Sequence, residues 1–385
     1  MKIMKIGVVG CGNISEIYFQ NIAKFDNLEV AAIADMMPER AKEKADKYGG
    51  KPMTVDELMV CPDVDIVLNL TNPAVHYEID MKALNAGKHV YSEKPLAINV
   101  EQGREIIETA RKKGLYVGCA PDTVMGARPQ TMRKLLEDGW IGKPIAATAF
   151  YMNGGMEMWH PNPIPWYKDG GGPVFDIGPY YLTLFVCMFG PAKRISAITG
   201  KGWEERLITS EPMNGDKVKV EVPTHASATI EFENGVIATM ILSFDIVDSK
   251  LPRVEIYGTE GVMSMDDPDP YDGPNIYGGV TKLRRREDAD WLEYPRKENI
   301  PTPWAEIPSC YDYTENSRSL GLSDMARAIE KGGKYRANGE LAFHVLEIME
   351  GFYVSSDTGK AYEMTSTCEK PEIMPVNMKK FSMGD

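Results

Sequence analysis

Residues 5–15 read KIGVVGCGNIS, a short apolar run followed by two glycines that are one residue apart. The run predicts a buried strand over residues 5–9, and the residues after the turn predict a helix over 13–25. In such a strand-turn-helix unit, Gly10 permits the tight turn and Gly12 lets a pyrophosphate approach the backbone amides at the helix N-terminus. The stretch therefore predicts a dinucleotide site.

The start of this helix supplies further candidate cofactor contacts. Asn13 and Ile14 directly follow the turn, where free backbone amides are expected. Ser15 stands where the usual pattern has a third glycine. Its small side chain still lets the helix lie close to the strand, so the motif is weakened without being lost.

The type of dinucleotide is indicated by an acidic residue after the next strand. A second apolar run at 29–34 ends in Asp35, about 20 residues beyond the glycines, where a ribose-binding carboxylate belongs. Such a carboxylate accepts hydrogen bonds from the ribose hydroxyls and repels a 2′-phosphate, so NAD is favoured over NADP. Arg40 could serve a 2′-phosphate, but Glu39 and Glu43 beside it favour a solvated arginine.

Composition excludes several classes of protein. With 56 acidic against 43 basic residues and a net charge of −13, the chain is not expected to bind nucleic acid or an anionic membrane.

No apolar run approaches the ~20 residues of a membrane span, and the chain enters its first strand with no room for a signal peptide. The six cysteines show no Cys-x-x-Cys spacing, so neither a metal site nor a disulfide framework is expected, and the cytoplasm is the expected location.

Periodicity predicts two domains, consistent with 385 residues. Up to residue 122, strand and helix patterns alternate, which predicts a doubly wound parallel sheet with helices on both faces. These patterns are helix 55–60, strand 65–70, helix 75–86, strand 89–92, helix 100–113 and strand 116–119.

From residue 123 to residue 360 the pattern predicts an α+β domain with a large, mainly antiparallel sheet. A helix is predicted at 125–137, a hairpin around Glu233-Asn234-Gly235, and helices at 322–331 and 339–358. Further strands are predicted at 146–151, 193–198, 227–233, 236–244, 253–257 and 262–265. Residues 361–385 are predicted to form a C-terminal arm.

Ligands of an open parallel sheet bind beyond the carboxyl ends of its strands. Three segments are therefore expected to line one crevice: Thr71-Asn72-Pro73, Glu93-Lys94-Pro95 and Pro121-Asp122. His76, at the start of the following helix, is expected close to the nicotinamide end of the cofactor.

The order of these motifs resembles that of the Gfo/Idh/MocA oxidoreductases over roughly residues 3–360. The resemblance is carried by Gly10-Cys11-Gly12, Asp35, Thr71-Asn72-Pro73 with His76, Ala86-Gly87-Lys88-His89-Val90, Glu93-Lys94-Pro95, and Gly170-Gly171-Gly172 with Asp176. It implies a Rossmann domain that binds NAD or NADP, an active site between the domains and a carbohydrate substrate. It also implies an open-faced second sheet that joins a homodimer or homotetramer.

The resemblance also suggests catalytic residues. Lys94 would stabilise the alkoxide that develops as a hydride leaves carbon, and a second acid/base group would carry the proton. The family commonly places a histidine four residues after Asp176, but here the residue is Tyr180. If the two lie on one helix they share a face. Tyr180 is thus either a proton carrier assisted by a cation such as Lys94, or an aromatic packing residue.

Other histidines are also candidates. His160 lies between Trp159 and Trp166 in a proline-rich loop that could place indole faces against a pyranose and an imidazole against its hydroxyls. His160 is therefore either a substitute acid/base or a loop residue in a structural hydrogen bond. His225, before a strand of the second sheet, is either a substrate contact or a packing residue, and Asp122 is a predicted substrate contact.

These residues predict an NAD-dependent dehydrogenase that oxidises a ring hydroxyl of a sugar, a sugar derivative or a glycoside. The loop around Asp122 and the segment around His160 also resemble a bacterial branch of the family that includes glycoside 3-dehydrogenases. Two alternatives remain: a redox-neutral glycosidase or lyase that regenerates NAD in every turnover, and a non-catalytic NAD-binding regulator.

Overall fold

The first part of the chain forms a parallel sheet with helices on both faces. The computed structural model describes residues 2–265, 276–287, 304–376, 378 and 380–382. The strands are β1 (Met4–Val9), β2 (Leu28–Ala34), β3 (Lys51–Pro52), β4 (Ile66–Asn69), β5 (His89–Ser92) and β6 (Val117–Cys119). The helices are α1 (Ser15–Ile22), α2 (Pro38–Tyr48), α3 (Val55–Val60), α4 (Pro73–Asn85) and α5 (Val100–Lys113).

The strand order in this sheet is β3-β2-β1-β4-β5-β6, and every neighbouring pair is parallel. The chain reverses its direction of winding at β1, so the sheet is doubly wound, as predicted. Its carboxyl edge between β1 and β4 is the expected cofactor crevice.

Gly10 is required where β1 turns towards α1. Its φ of +102° lies in a region that side chains rarely adopt, and an added Cβ would lie 2.7 Å from the carbonyl oxygen of Leu70. Helix α1 starts at Ser15 and not near Asn13, because the Ser15 amide and hydroxyl both donate to the Gly12 carbonyl, at 3.1 and 2.7 Å. Residues 12–15 therefore form a turn ahead of the helix.

The second part of the chain forms a mixed, mostly antiparallel sheet. Its helices are α6 (Ala127–Glu137), α7 (Gly172–Asp176), α8 (Gly178–Phe189), α9 (Leu320–Lys331) and α10 (Gly339–Thr358). The strands, with one separate pair, are β7 (Pro144–Met152), β8 (Ala192–Gly200), β9 (Glu205–Leu207), β10 (Lys217–Lys219), β11 (His225–Phe232), β12 (Ile237–Ser243), β13 (Val254–Gly258), β14 (Gly261–Met265), β15 (Thr281–Arg285), β16 (Ala305–Ile307) and β17 (Tyr362–Glu363).

In the described part of the chain this sheet has the order β16-β15-β14-β13-β7-β12-β11-β8-β17. Strands β7 and β12 are parallel and the other pairs are antiparallel. The predicted hairpin joins β11 to β12, with Gly235 at a φ of +88°. Strands β9 and β10, which sequence reasoning missed, form a separate hairpin.

The helices cover one face of this sheet. All twelve residues of α8 are buried, and α10 packs beside α8 and against β8. On the opposite face, cross-strand pairing places Ile198, Ser227, Ile241 and Phe150 in one row. The side chain of Ile198 is 77% exposed, so apolar surface lies on the uncovered face.

The segment from Asp176 to Tyr180 differs from the expected single helix. Helix α7 ends at Asp176, and α8 begins at Gly178. Pro179 has no backbone N–H to donate to the carbonyl of Phe175, so the ladder of hydrogen bonds is interrupted there. The two side chains therefore do not share one continuous helix face, although both still reach the same lysine.

The residues that follow α10 pack back onto the second domain of the same chain. Strand β17 pairs with β8, and the buried Met374 donates its backbone N–H to Gln130 at 2.7 Å. The boundaries at residues 122 and 360 remain predictions. Within the described ranges, no helix combines the length and apolar character that a membrane span requires.

Candidate active site

An ion pair joins the two sheets. Lys94 lies just after β5, and its Nζ is 2.7 Å from Oδ1 of Asp176 at the end of α7 and 2.8 Å from the Asp176 carbonyl oxygen. The two side chains are only 14% and 16% exposed. Burial by itself would lower the pKa of Lys94, but the neighbouring Asp176, Tyr180 and Glu93 raise it above its ordinary value. The ammonium group is therefore charged at neutral pH.

Tyr180 lies against this pair. The Lys94 Nζ is 5.2 Å from the centre of the Tyr180 ring, which is within cation-π range. The Tyr180 hydroxyl oxygen accepts a hydrogen bond from Nη2 of Arg318 at 3.2 Å. Arg318 was missed by sequence reasoning, because it lies 138 residues after Tyr180 in a segment without a motif.

The Glu93 carboxylate is hydrogen-bonded to the backbone of Lys94, and its other contacts are with Tyr18 and Arg318. Its Oε1 accepts from the Tyr18 hydroxyl at 2.8 Å and lies 3.5 Å from Nε of Arg318. Its Oε2 accepts from the Lys94 backbone N–H at 3.0 Å. The carboxylate is therefore a buried partner of Arg318, and its predicted cofactor contact stays a prediction.

The aromatic loop brings three of the predicted side chains together. The ring centre of His160 is 4.3 Å from that of Trp166 and 5.4 Å from that of Trp159. The Asn162 N–H lies 3.0 Å from Nδ1 of His160, so the hydrogen of the neutral ring is on Nε2. Burial lowers the pKa of His160, while the charge of Asp176 acts in the opposite direction.

The β9–β10 hairpin anchors this aromatic loop, residues 157–167, through hydrogen bonds and ion pairs. The Ser210 hydroxyl donates to the His160 carbonyl at 2.6 Å. Arg206 donates to Glu157 at 2.5 Å and is also paired with Asp245, and Tyr167 donates to the same Glu157 carboxylate. A buried ion-pair cluster thus fixes both ends of the loop.

The glycine run brings the loop and α7 close to the first domain. At Gly170, where φ is +78°, an added Cβ would lie 2.7 Å from Cγ2 of Ile98. The loop that follows Lys94 and the segment before α7 are therefore in close contact. This approach explains how Asp176 reaches Lys94 across the domain junction.

The residues at the start of α1 fit a dinucleotide. Nothing lies within 4 Å of a Cβ added at Gly12, and Ile14 at the helix N-cap offers no capping side chain, so the amides are open to a pyrophosphate. Asp35 accepts from the Cys11 and Met37 backbone N–H groups at 2.7 and 2.9 Å. These bonds orient its carboxylate at the carboxyl end of β2, where a ribose would lie.

The loop after β4 is anchored by a buried histidine. His76 lies 2.7 Å through Nδ1 from the Pro95 carbonyl and 2.9 Å through Nε2 from the Thr71 carbonyl. Asn72 is exposed and Pro73 opens α4. The structure thus ties the two predicted cofactor loops, 71–73 and 93–95, to each other.

Two predicted substrate contacts lie in hydrogen-bond networks of their own. The buried Asp122 accepts from the Tyr277 hydroxyl at 2.6 Å and from the Gly321 N–H at 2.9 Å, and burial raises its pKa. His225 lies 3.0 Å through Nδ1 from the Ser243 hydroxyl of the neighbouring strand. Among the described residues, no group of three or more His, Cys, Asp or Glu could hold a metal ion.

Comparison with known proteins matches both parts of the chain. Residues 4–120 match the oxidoreductase family with an NAD-binding Rossmann fold, and residues 130–264 match the GFO/IDH/MocA C-terminal domain. A 1,5-anhydro-D-fructose reductase of Ensifer adhaerens is 30% identical over 264 residues, which are 66% of this chain and 73% of the relative. A D-glucoside 3-dehydrogenase of Escherichia coli is 27% identical over 297 residues, 74% and 83% of the two chains.

The fold is shared with solved structures. Apo levoglucosan dehydrogenase superposes with a TM-score of 0.79 at 18% identity, covering 96% of this chain and all of the other. The two matched domains, their order and the 30% identical relative settle the relationship. This chain belongs to the Gfo/Idh/MocA family of NAD-binding oxidoreductases.

Proposed function

We propose that this protein is an NAD-dependent dehydrogenase that oxidises a ring hydroxyl of a sugar, a sugar derivative or a glycoside. The observation that carries the proposal is the Lys94–Asp176 ion pair at the carboxyl end of β5, with Tyr180 beside it. Relatives that act on an anhydro sugar, an inositol and a glucoside support a cyclic polyol substrate.

Each member of this group has a distinct role. Bound NAD supplies the hydride acceptor. The Lys94 ammonium stabilises negative charge that develops on the substrate oxygen, and Asp176 keeps that ammonium charged and oriented. Tyr180 takes the hydroxyl proton.

The imidazole of His160 is better suited to donating a hydrogen bond than to accepting a proton. Its Nδ1 already receives the Asn162 N–H, which leaves the hydrogen of the neutral ring on Nε2. A general base needs an unprotonated nitrogen that faces the substrate. We therefore assign the acid/base role to Tyr180 and a substrate hydrogen bond to His160.

The rest of the loop gives the site its preference for a ring. The indole of Trp159 is 61% exposed beside His160, and Trp166 lies on the other side. Flat aromatic faces suit the C–H surface of a pyranose. His225 remains a candidate substrate contact at the strand end. Asp122 is assigned a structural role beside the site, because the residue is only 1% exposed and accepts hydrogen bonds from Tyr277 and Gly321.

NAD is the proposed cofactor in preference to NADP. The position of Asp35 at the carboxyl end of β2 supports this preference, because a carboxylate facing the ribose would repel a 2′-phosphate. The uncovered apolar face of the second sheet supports a homodimer or homotetramer. All six cysteines are unpaired, which suits a reducing compartment such as the cytoplasm.

The proposal is tested by following NADH absorbance with purified protein, NAD and a panel of free sugars, polyols, sugar acids and glycosides. Steady growth of NADH with one class supports the dehydrogenase and identifies its substrate. Cleaved or rearranged product without NADH growth would support a redox-neutral enzyme. Binding of NAD with no product from any compound would support a regulator.

A further inference from the structure

Arg318 lies at the centre of the buried polar network beside the candidate catalytic group. It precedes α9, and its side chain is only 8% exposed. Within its guanidinium, Nη1 donates to the neighbouring Asn316 at 2.9 Å, Nη2 donates to the distant Tyr180 hydroxyl at 3.2 Å, and Nε is 3.5 Å from the distant Glu93. None of the motifs described above includes this arginine.

The charge of Arg318 is matched by Glu93. A buried carboxylate is costly unless a cation and hydrogen bonds compensate for its lost hydration. Glu93 receives hydrogen bonds from the Tyr18 hydroxyl and the Lys94 amide, and Arg318 is its neighbouring cation. The guanidinium is thereby held between β5 and α8.

The hydrogen bond between Arg318 and Tyr180 can run in only one direction. A guanidinium has only N–H donors, so the Tyr180 oxygen accepts and its own hydrogen remains to be donated elsewhere. Among the described residues, none accepts that hydrogen. The cation also lies where negative charge would form if the hydroxyl lost its proton.

The groups that act on Tyr180 come from several elements. Among the described residues, the ionisable groups with an interaction at Tyr180 are Lys94, Arg318, Tyr151 and Tyr277, and Asp176 is paired with Lys94 beside them. Of these, Arg318 makes the hydrogen bond to the phenol oxygen. It is therefore the charge whose removal most directly affects proton transfer at that atom.

We propose that Arg318 is a positioning residue for Tyr180, which directs the phenol hydrogen into the cleft and stabilises the oxygen when that hydrogen has left. The proposal rests on the acid/base role proposed for Tyr180. In the oxidation, the phenol of Tyr180 first releases its proton to solvent. The proton of the substrate hydroxyl then passes to the phenolate oxygen, the C–H electron pair leaves as hydride to NAD, and the substrate becomes a ketone.

The first test does not require activity. Ultraviolet difference titration of the cofactor-free protein against Tyr180→Phe isolates the ionisation of this phenol among the 18 tyrosines. In Arg318→Met the isolated ionisation should move up by about one pH unit or more, as expected for loss of an adjacent opposite charge. Arg318→Lys should return it towards the wild-type pH and provides a second variant if Arg318→Met does not fold. An unchanged ionisation in both variants would overturn the proposal.

The second test uses turnover with the substrate found in the panel. Arg318→Met should lower kcat by about 100-fold or more, leave the KM for NAD within about twofold, and move the acidic limb of the kcat profile to higher pH. Arg336→Met is the matched control, because it removes another buried arginine-carboxylate pair, with Asp324. It should lower stability without moving the profile.

The two proposals fail in different ways. If Arg318→Met and Arg336→Met give the same unshifted profile, Arg318 is structural and the positioning role is wrong. If Tyr180→Phe retains the full kcat, the acid/base assignment itself is wrong. If no compound is oxidised at all, the proposed function fails, and the difference titration still decides whether Arg318 acts on the phenol.

Discussion

The Nζ of Lys94 and the Oδ1 of Asp176 lie 2.7 Å apart, and this contact spans the junction between the parallel sheet and the mostly antiparallel sheet. The charge that we assign to catalysis is therefore positioned by both halves of the chain. Neither half alone contains the complete group of residues.

Removing the Lys94 charge should slow turnover strongly without preventing cofactor binding. We expect Lys94→Ala to lower kcat by about 100-fold or more, because the substrate oxygen loses its stabilising charge. NADH fluorescence should report a nearly unchanged Kd, and Lys82→Ala, at an exposed helix position, serves as the control. Turnover at the wild-type rate in Lys94→Ala would refute the site assignment.

Asp35 should set the preference between the two dinucleotides. We expect the wild-type protein to bind NADH more tightly than NADPH. Asp35→Asn should lower the ratio of the Kd for NADPH to the Kd for NADH by about tenfold, because a charged hydrogen bond contributes about 1.5–3 kcal/mol. Fluorescence titration measures both constants, with the exposed Asp46→Asn as control. Tighter NADPH binding by the wild-type protein would contradict the assignment.

Asp80 should make stability depend on pH. Burial raises its pKa to about 7, so between about pH 4 and pH 7 the folded state holds a proton that the unfolded state has released. Stability from this group therefore decreases as pH rises through that range and is lost above it. We expect Asp80→Asn, which can keep both hydrogen bonds to Asn69 and Ser92, to gain stability relative to the wild type as pH increases.

Urea unfolding at pH 5 and pH 8 measures this effect. The difference between Asp80→Asn and the wild type should grow by at most about 3 kcal/mol between the two pH values, because only the two pH units below the folded-state pKa of about 7 contribute, at about 1.4 kcal/mol each. A difference that is the same at both pH values would show that the carboxyl is not protonated in the folded protein.

Arg206 should determine the order of the aromatic loop. Its side chain is only 6% exposed and is paired with Glu157 and Asp245, so Arg206→Met leaves buried carboxylates unpaired and should cost about 3–5 kcal/mol. We expect the KM for the carbohydrate to rise with little change in the KM for NAD. Lys217→Ala, which breaks an exposed pair with Glu205 in the same hairpin, should cost less than about 1 kcal/mol. Equal losses in both variants would contradict this reasoning.

The uncovered sheet face should mediate self-association. Ile198→Glu introduces a charge into the row that includes Ile241 and Phe150, and light scattering after size exclusion should show a smaller particle than the wild type. Val60→Glu is the matched control, since Val60 in α3 and Ile198 are both 77% exposed. An unchanged mass in Ile198→Glu would place any association on another surface.

Local patterns predicted much of the architecture. The ranges of α3, β5, α5 and α10 agree with those expected from the sequence pattern, and in the structure Thr54 and Asn99 cap the starts of α3 and α5. The resemblance to the family supplied Lys94 and Asp176, and the geometry brings these two together. Strands β3, β9, β10 and β15–β17 were missed, because they are short and show no clear alternating pattern in the sequence.

The charges behind the site could not be read from the sequence. Arg206 pairs with Glu157 49 residues earlier, and Arg318 reaches Tyr180 across 138 residues, so no local spacing reveals either contact. One signal was available: a glutamate predicted at a buried strand end, Glu93, requires a counter-charge somewhere in the chain. That requirement calls for a cation without identifying which of the 43 basic residues supplies it.

The separate β9–β10 hairpin has a consequence for how such an enzyme diversifies. The hairpin and the aromatic loop support each other, whereas Lys94, Asp176, Tyr180 and Arg318 are held by the helices and strands of the two main sheets. If the proposed function is correct, exchanging the loop and its hairpin as one unit should alter which carbohydrate is accepted and leave proton transfer intact. Under the proposed function, selectivity and reactivity would then be varied separately, as long as Asp245 after β12, which pairs with Arg206 of the hairpin, is kept.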